Sequence, residues 1–144
     1  GMESSNPEIR IILADEHTAI RKSWRKILES NPRFTILADC KDGQSAQQLI
    51  NQLQPDLLLL DLTNSPADGL LIAEKIVTQF PAVKVIGISV SNRPHYAVKM
   101  ISLGAKGYLT KTSPLTEIYE GIIRVFDGHT YICEEIRSRM IQPE

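Results

Sequence analysis

Four consecutive leucines, Leu57 to Leu60, lie between two aspartates and shortly after a proline. A continuous apolar run of this length predicts a short strand that is buried on both faces, as in the centre of a parallel sheet. The run ends at Asp61, and residues 63–69 read Thr-Asn-Ser-Pro-Ala-Asp-Gly, which breaks the strand pattern. Open α/β sheets place their ligands beyond the carboxyl ends of their strands. Asp61 is therefore the first candidate for a reactive group.

Strand and helix patterns alternate five times along the chain. Helix-length segments between the strands favour right-handed crossovers and one parallel sheet with helices on both faces. We therefore expect an α/β fold of the flavodoxin-like type, a (βα)5 three-layer sandwich whose five-stranded parallel sheet has the order 2-1-3-4-5. The predicted strands span residues 9–14, 34–38, 56–61, 83–88 and 108–110.

The helical segments are recognised by apolar residues at a spacing of three or four. The first is predicted over residues 18–31, with Thr18 as its N-cap. The third is predicted to open at residues 68–69, and the fourth spans residues 94–103. The apolar face of the first helix is formed by Ile20, Trp24, Ile27 and Leu28. Its opposite, basic face is interpreted as solvated rather than as a nucleic-acid site, and it carries Arg21, Lys22, Arg25 and Lys26.

Composition excludes several classes of protein. The 144 residues fit one domain, the 42% of hydrophobic residues suffice for one core, and a net charge of −1 gives no bulk attraction to nucleic acid or to anionic membranes. The apolar runs are too short to span a bilayer, and the polar N-terminus is unlike a signal peptide. Cys40 and Cys133 form no disulfide framework or metal motif, which is typical of a reducing cytoplasm.

Three segments are predicted along the chain. Residues 1–8 are polar and expected to be disordered, with Gly1 as a cloning remnant ahead of a native start at Met2. Residues 9–128 form the domain. Residues 129–144 are predicted to be a C-terminal tail or linker. Four apolar residues in this segment can also form one more amphipathic element: Tyr131, Ile132, Ile136 and Met140.

Charged and hydroxyl side chains stand at the carboxyl ends of four of the five predicted strands: Asp15, Glu16, Asp61, Ser89 and Lys111. In a parallel sheet these ends lie on one edge, where three carboxylates repel each other unless a cation joins them. Oxygen ligands favour a hard divalent ion, so Mg²⁺ is implied. A lysine and a hydroxyl can each hold a phosphoryl oxygen, and phosphoryl transfer needs mainly such positioning. Asp61 would then become an aspartyl phosphate.

Five short motifs follow one another along the chain: Leu13-Ala-Asp-Glu16, Leu60-Asp61, Asp68-Gly69, Ile88-Ser89 and Gly104-Ala-Lys-Gly-Tyr-Leu-Thr-Lys111. Together they resemble the receiver domain of bacterial two-component response regulators, over residues 9 to 128. The Ser89-Val-Ser-Asn92 run and the Gly-His-Thr-Tyr-Ile-Cys tail resemble the NarL/LuxR-type subfamily most. In that subfamily a helix-turn-helix domain follows the receiver, and none is visible in this sequence.

The resemblance implies a role for each site residue. Asp61 would accept phosphate from the phosphohistidine of a sensor histidine kinase, and Ser89 and Lys111 would bind phosphoryl oxygens. Mg²⁺ would be held by Asp15, Glu16, Asp61 and the carbonyl of Thr63. Tyr108 would turn inward when Ser89 moves, although a tyrosine that merely packs in the strand is an equal alternative.

The resemblance also implies partners and an output. The output surface would be the fourth helix, the fifth strand and the fifth helix, and a homodimer is compatible with it. This domain itself would contact neither membrane nor nucleic acid, because DNA would be bound by a helix-turn-helix domain beyond the tail. Beyond accepting phosphate and slowly hydrolysing the aspartyl phosphate, no enzymatic activity is expected. A cytoplasmic location follows.

Two departures from the family pattern leave alternatives open. Pro66 comes one place later than the usual proline, so the path of residues 63–68 is open, and Thr112 replaces the proline that often follows the lysine, so a cis bond there is not assured. One alternative is an interaction module with this fold that uses no phosphate. Another is a flavodoxin-like cofactor binder, which is disfavoured because Asp15 and Glu16 would repel a phosphate at the first loop.

Overall fold

The computed structural model describes residues 6–141. The disorder predicted for residues 1–8 falls mostly outside this range, because residues 1–5 are not described, and residues 142–144 are not described either. The strands are β1 Ile9–Ala14, β2 Phe34–Cys40, β3 Leu57–Asp61, β4 Lys84–Ser89, β5 Gly107–Thr110 and β6 Tyr131–Ile132. The helices are α1 Thr18–Glu29, α2 Gly43–Leu53, α3 Pro66–Gln79, α4 Pro94–Leu103, α5 Leu115–Phe126 and α6 Glu134–Ile141. The alternation of strands and helices is the predicted one.

The sheet is parallel and has the order β2-β1-β3-β4-β5-β6. The predicted order 2-1-3-4-5 is thus confirmed within it, but the predicted count of five strands is wrong. The four leucines of β3 are almost fully buried between β1 and β4, as their continuous apolar run predicts. They form the centre of one core that extends across both faces of the sheet.

The sixth strand pairs with the outer edge of β5. The N–H of Tyr131 donates to the carbonyl of Lys106, and the N–H of Cys133 donates to the carbonyl of Tyr108. A two-residue strand is too short to show the alternation that identifies strands in a sequence, which is why the pattern did not predict it. Helix α6 follows it and packs against α4. Residues 131–141 therefore belong to the packed structure, and a linker role beyond them stays a prediction.

The loop after β3 turns directly into α3. Pro66 occupies the first turn of α3, where a missing backbone N–H costs nothing, so the helix begins two residues before the predicted start. Ser65 precedes it and donates its hydroxyl to Asp68 Oδ2 at 2.7 Å. At Gly69 an added Cβ would overlap a terminal methyl group of Leu62, so any larger residue there would require the buried Leu62 side chain to move.

Helix α1 differs from its prediction at both ends. Its N-cap is His17 rather than Thr18, and it ends at Glu29 rather than at residue 31. The His17 N–H donates to Asp15 Oδ1 at 2.9 Å, so a carboxylate from the end of β1 bonds to the chain just before the helix. Trp24 and Leu28 are buried, whereas Ile20 is largely exposed.

Two residues of the basic face of α1 are not simply solvated, contrary to the interpretation of the sequence. Strand β2 continues to Cys40, which places Asp39 inside the strand. Asp39 accepts Arg21 Nε at 2.8 Å and Arg25 Nη1 at 2.5 Å. Burial acts to raise the pKa of Asp39, but the two guanidinium groups outweigh burial and hold that pKa below the ordinary value of 3.8.

Asp39→Asn is expected to lower the free energy of unfolding at neutral pH by about 1 kcal/mol, because the two ion pairs are only partly buried. A depressed carboxyl pKa stabilises the fold above the unfolded pKa, and this stabilisation disappears as the pH falls through the folded pKa. The gap between wild type and variant should therefore shrink on acidification. Urea denaturation at pH 7 and at pH 3 measures it, with the exposed Glu74→Gln as a control; a gap that widens in acid would contradict the assignment.

Candidate functional site

The carboxyl ends of four strands bring the predicted residues to one edge of the sheet. Asp15 follows β1, Asp61 ends β3, Ser89 ends β4, and Lys111 follows β5. Backbone bonds hold these ends in register, since the N–H of Lys111 donates to the Ser89 carbonyl at 2.9 Å. The parallel register of neighbouring strands is thus what collects residues that are far apart in the chain.

The Asp61 carboxylate is held on both of its oxygens. Its Oδ2 contacts the ammonium of Lys111, and its Oδ1 accepts the N–H of Thr63 at 2.6 Å. The Asp61 and Lys111 side chains are both largely buried. Burial alone would raise the pKa of Asp61, but Lys111 and Thr63 outweigh that effect and place the pKa below its ordinary value. Asp61 is therefore an ionised carboxylate with a fixed orientation.

Asp15 lies beside this pair and is itself 3% exposed. Its Oδ2 is 3.7 Å from Lys111 Nζ and accepts no hydrogen bond from the described residues. Burial and the neighbouring Asp61 carboxylate raise the pKa of Asp15. One lysine thus faces two buried carboxylates, which leaves one negative charge uncompensated when both are ionised. The uncompensated charge favours the binding of a second cation.

Glu16 is placed differently from the other predicted metal ligands. It is exposed, and its Oε1 accepts Asn64 Nδ2 at 2.7 Å. The Asn64 amide also contacts His17 Nε2, with its Oδ1 at 3.1 Å. Within residues 6–141 no three acidic, histidine or cysteine side chains are arranged to hold one metal ion. The buried, donor-free oxygen of Asp15 nevertheless fits a hard cation, so Asp15 and Asp61 are the two carboxylates that the fold itself places for one.

A pocket of about 210 Å³ opens beside these carboxylates. Asp15 and Asp61 line it together with residues of the loop after β3, among them Asn64, and the start of α3 around Asp68. Lys41, from the loop after β2, is its single lysine or arginine. The strongly acidic lining suits a cation, and the pocket gives a small phosphodonor access to Asp61.

Ser89 and Tyr108 lie on the other side of Asp61. The Ser89 hydroxyl is buried and accepts the N–H of Ser91 at 3.0 Å. Tyr108, on β5 opposite Gly87 of β4, is completely buried. Burial raises the pKa of Tyr108 to about 12, against a smaller opposite effect of the Ser89 hydroxyl. The aromatic ring thus points inward in this structure, and the Lys111–Thr112 peptide bond is trans.

The sequence profile of the family described as response regulator receiver domain matches residues 11–123. The chain belongs to this family. Its motifs at the strand ends, from which the same family was predicted, are therefore those of a receiver domain. Receiver domains are signalling modules of two-component systems, and this one is a member of the NarL/LuxR-type group, as its relatives show.

Curated relatives of the receiver domain are named as regulators. It is 28% identical over 135 residues to the transcriptional regulatory protein DegU of Brevibacillus brevis, covering 94% of this chain and 57% of that protein. It is 30% identical over 134 residues to the oxygen regulatory protein NreC of Staphylococcus epidermidis, covering 92% and 62%. The receiver domain thus spans less than two thirds of the length of these relatives.

Solved structures show the same fold. A LuxR-family response regulator from Aurantimonas superposes with a TM-score of 0.85 at 25% identity, covering 94% of this chain and 99% of that one. The receiver domain of the response regulator NarL from Mycobacterium tuberculosis gives 0.77 at 26% identity, covering 85% and 99%. Among the helices of residues 6–141, none is both long and apolar enough to cross a membrane.

The C-terminal segment of the receiver domain lies against the surface that the resemblance implies for output. Strand β6 pairs with β5 and contacts α5, while α6 packs against α4. Part of the surface formed by α4, β5 and α5 is therefore covered by the same chain.

Tyr108→Phe is expected to change the free energy of unfolding by less than about 1 kcal/mol. The Tyr108 hydroxyl forms no hydrogen bond of regular geometry in the described part of the chain, and its interaction with the Ser89 hydroxyl is weak, so its removal loses little and relieves a buried polar group. Tyr119→Phe is the matched control, because the Tyr119 hydroxyl donates to the Ile27 carbonyl at 2.6 Å and its loss should cost about 1 kcal/mol. Equal costs in urea denaturation would mean that Tyr108 has a partner.

Two residues of the site region were missed by sequence reasoning. Asn64 binds Glu16 and contacts His17, and the only signal for it was its place in the loop after Asp61. Glu135, in α6, accepts hydrogen bonds from residues beside Ser89 and Lys111. No spacing in the sequence connects Glu135 with either strand end, because the connection depends on how α6 packs.

Proposed function

We propose that Asp61 of this receiver domain accepts a phosphoryl group from the phosphohistidine of a sensor histidine kinase. The observation that carries the proposal is the Asp61 carboxylate itself, which is ionised, fixed by the Thr63 N–H and in contact with Lys111 at the edge of an open pocket. A nucleophile held in one orientation beside a cation is what phosphoryl transfer requires of a protein.

In the transfer, an Asp61 carboxylate oxygen forms a bond to phosphorus while the bond between phosphorus and the histidine nitrogen breaks. Lys111 holds a phosphoryl oxygen and offsets its charge, and the Ser89 hydroxyl binds another. Mg²⁺ would be held by Asp15 and Asp61, with Glu16 and the Thr63 carbonyl as further ligands, and when bound it would neutralise charge on the phosphoryl group. Glu16 Oε1 is engaged by Asn64, so Glu16 would offer the ion its other oxygen, Oε2, or release Asn64 first.

The consequence of phosphorylation would begin at Ser89. When its hydroxyl turns to the phosphoryl group, the inward Tyr108 ring and the α4-β5-α5 surface respond. Two relatives are named as regulatory proteins and are longer than this chain, which supports a DNA-binding output domain controlled by the receiver. A homodimer and a cytoplasmic location belong to the same proposal, and no surface is assigned to the dimer.

The test uses the 144-residue chain with Mg²⁺ and acetyl phosphate, a small phosphodonor that needs no kinase. The expected result is a gain of one phosphoryl group in the intact mass, and chelation of Mg²⁺ with EDTA should abolish the gain. No gain under any donor would refute the proposal. That result would favour an interaction module that uses no phosphate. This candidate is supported by Glu16, because its Oε1 accepts a hydrogen bond from Asn64 instead of being held for a metal ion with Asp15 and Asp61.

A further inference from the structure

Glu135 of α6 joins the C-terminal segment to two loops of the site. Its Oε2 accepts Asn92 Nδ2 at 2.9 Å. Its Oε1 accepts the hydroxyls of Thr112 at 2.8 Å and Thr110 at 3.0 Å. These three donors lower the pKa of Glu135, so the group is a carboxylate at neutral pH. A charged acceptor with three donors is stronger than an ordinary surface contact.

The three donors stand beside the two groups that would hold the phosphoryl oxygens. Asn92 lies three residues after Ser89, in the loop between β4 and α4. Thr110 and Thr112 are the immediate neighbours of Lys111 in the chain. Glu135 therefore contacts both loops at once, although its own helix is far from Asp61 in the sequence.

Two hydrogen bonds connect the Ser89 hydroxyl to Ser91 and Arg93, the residues on either side of Asn92 in the chain. The Ser91 N–H donates to Ser89 Oγ at 3.0 Å, and the Arg93 N–H donates to Ser91 Oγ at 3.2 Å. If the Ser89 hydroxyl turns toward a phosphoryl group, the first of these bonds changes, and the loop that carries Asn92 changes with it. The hydrogen bond from Asn92 to Glu135 then depends on whether Asp61 carries a phosphoryl group.

The other end of this connection is firmly packed. Cys133 and Ile136 are completely buried, and β6 is paired with β5. Helix α6 cannot follow a loop movement freely, so a movement of Asn92 or Thr112 either strains the Glu135 contacts or shifts the helix. A packed element with such contacts carries energetic coupling between two places.

We propose that Glu135 is a positioning residue that couples the loops of Ser89 and Lys111 to helix α6, so that phosphorylation of Asp61 and the placement of α6 influence each other. The coupling rests on the proposed function of Asp61. Because coupling is reciprocal, a change at Glu135 must alter phosphorylation, and phosphorylation must alter α6.

Glu135→Gln weakens one contact selectively. Gln keeps an oxygen for Thr110 and Thr112, but its amide nitrogen faces Asn92, so the charge-assisted bond is lost and only a neutral bond can replace it, after the Asn92 amide turns its oxygen toward the new group. We expect the rate of phosphoryl gain from acetyl phosphate to change by about fivefold, which is the lower range of typical coupling. Glu134→Gln, at the exposed neighbouring carboxylate, is the matched control and should keep the wild-type rate. Equal rates in wild type and Glu135→Gln would overturn the proposal.

A second variant distinguishes coupling from a general loss of stability. In the double variant Asn92→Asp with Glu135→Gln, the Gln amide can donate to the new carboxylate, so the hydrogen bond returns with donor and acceptor exchanged. The double variant should recover the wild-type rate, whereas Asn92→Asp alone, with two facing carboxylates, should not. Failure of the double variant to recover would count against Glu135 acting through Asn92.

Hydrogen exchange measures the opposite direction. The amides of residues 134–141 should exchange at different rates with and without beryllofluoride, a phosphoryl mimic, and Glu135→Gln should reduce that difference while Glu134→Gln keeps it. If the wild type neither gains a phosphoryl group nor binds beryllofluoride, the proposed function has failed by itself. The coupling is then judged in the unmodified protein, where residues 90–93 should exchange about fivefold faster in Glu135→Gln and recover in the double variant; unchanged exchange would overturn it.

Discussion

Asp61→Asn is expected to gain no phosphoryl group from acetyl phosphate and Mg²⁺, whereas the wild type gains one. The amide is not a nucleophile toward phosphorus, and no other carboxylate of the described residues has the same contacts to Lys111 and Thr63. Intact-mass measurement over time gives the result directly. Hydroxylamine should remove the added mass from the wild type, because it cleaves acyl phosphates.

Asp39→Asn is the matched control for this loss. Asp39 is also a carboxylate near the end of a strand, but it is paired with Arg21 and Arg25 rather than with Lys111. It should gain the phosphoryl group at the wild-type rate. Circular dichroism should show that Asp61→Asn is folded, and a full phosphoryl gain in that folded variant would mean that another residue is the acceptor.

Ile136→Ala is expected to lower the free energy of unfolding by about 2–4 kcal/mol, the usual cost of a large buried aliphatic side chain. Ile136 is completely buried although it lies in the segment that the sequence assigned to a tail. Its removal would leave a cavity under α6 that the neighbouring side chains fill only in part. Urea denaturation of the 144-residue chain measures the loss.

Met140→Ala is the companion variant in the same helix. Met140 is 38% exposed, so its truncation should cost less than about 1 kcal/mol. A large difference between the two variants would establish that α6 is part of the cooperative fold. Equal, small costs would show instead that residues 131–141 behave as the predicted linker.

The sequence was sufficient for the fold wherever a long pattern existed. The buried leucines of β3 and the helical spacing of residues between the strands predicted the α/β class and the order of five strands. Because parallel strands end on one edge, the same reading predicted that Asp15, Glu16, Asp61, Ser89 and Lys111 would meet. The structure brings all of them but Glu16 together, since Glu16 is exposed and bound by Asn64. Their chemical roles stay predictions.

Two kinds of feature were not predicted from the sequence: a very short strand, and contacts between segments that are far apart in the chain. A two-residue strand such as β6 has no period, and it exists because the edge of β5 offers unpaired backbone groups. The basic face of α1 was interpreted as solvated because charge runs usually are, but β2 continues far enough to place Asp39 between Arg21 and Arg25.

By itself, the sequence determined which residues stand at the strand ends, because strand boundaries and parallel connections follow from local patterns that the chain carries in every segment. Only the tertiary structure decided what those residues contact. Lys111 faces both Asp15 and Asp61, Glu16 is bound by Asn64, and Glu135 reaches two loops of the site. The physical reason is that hydrogen bonds and ion pairs act over a few ångströms, so they depend on packing between segments that no spacing along the chain encodes.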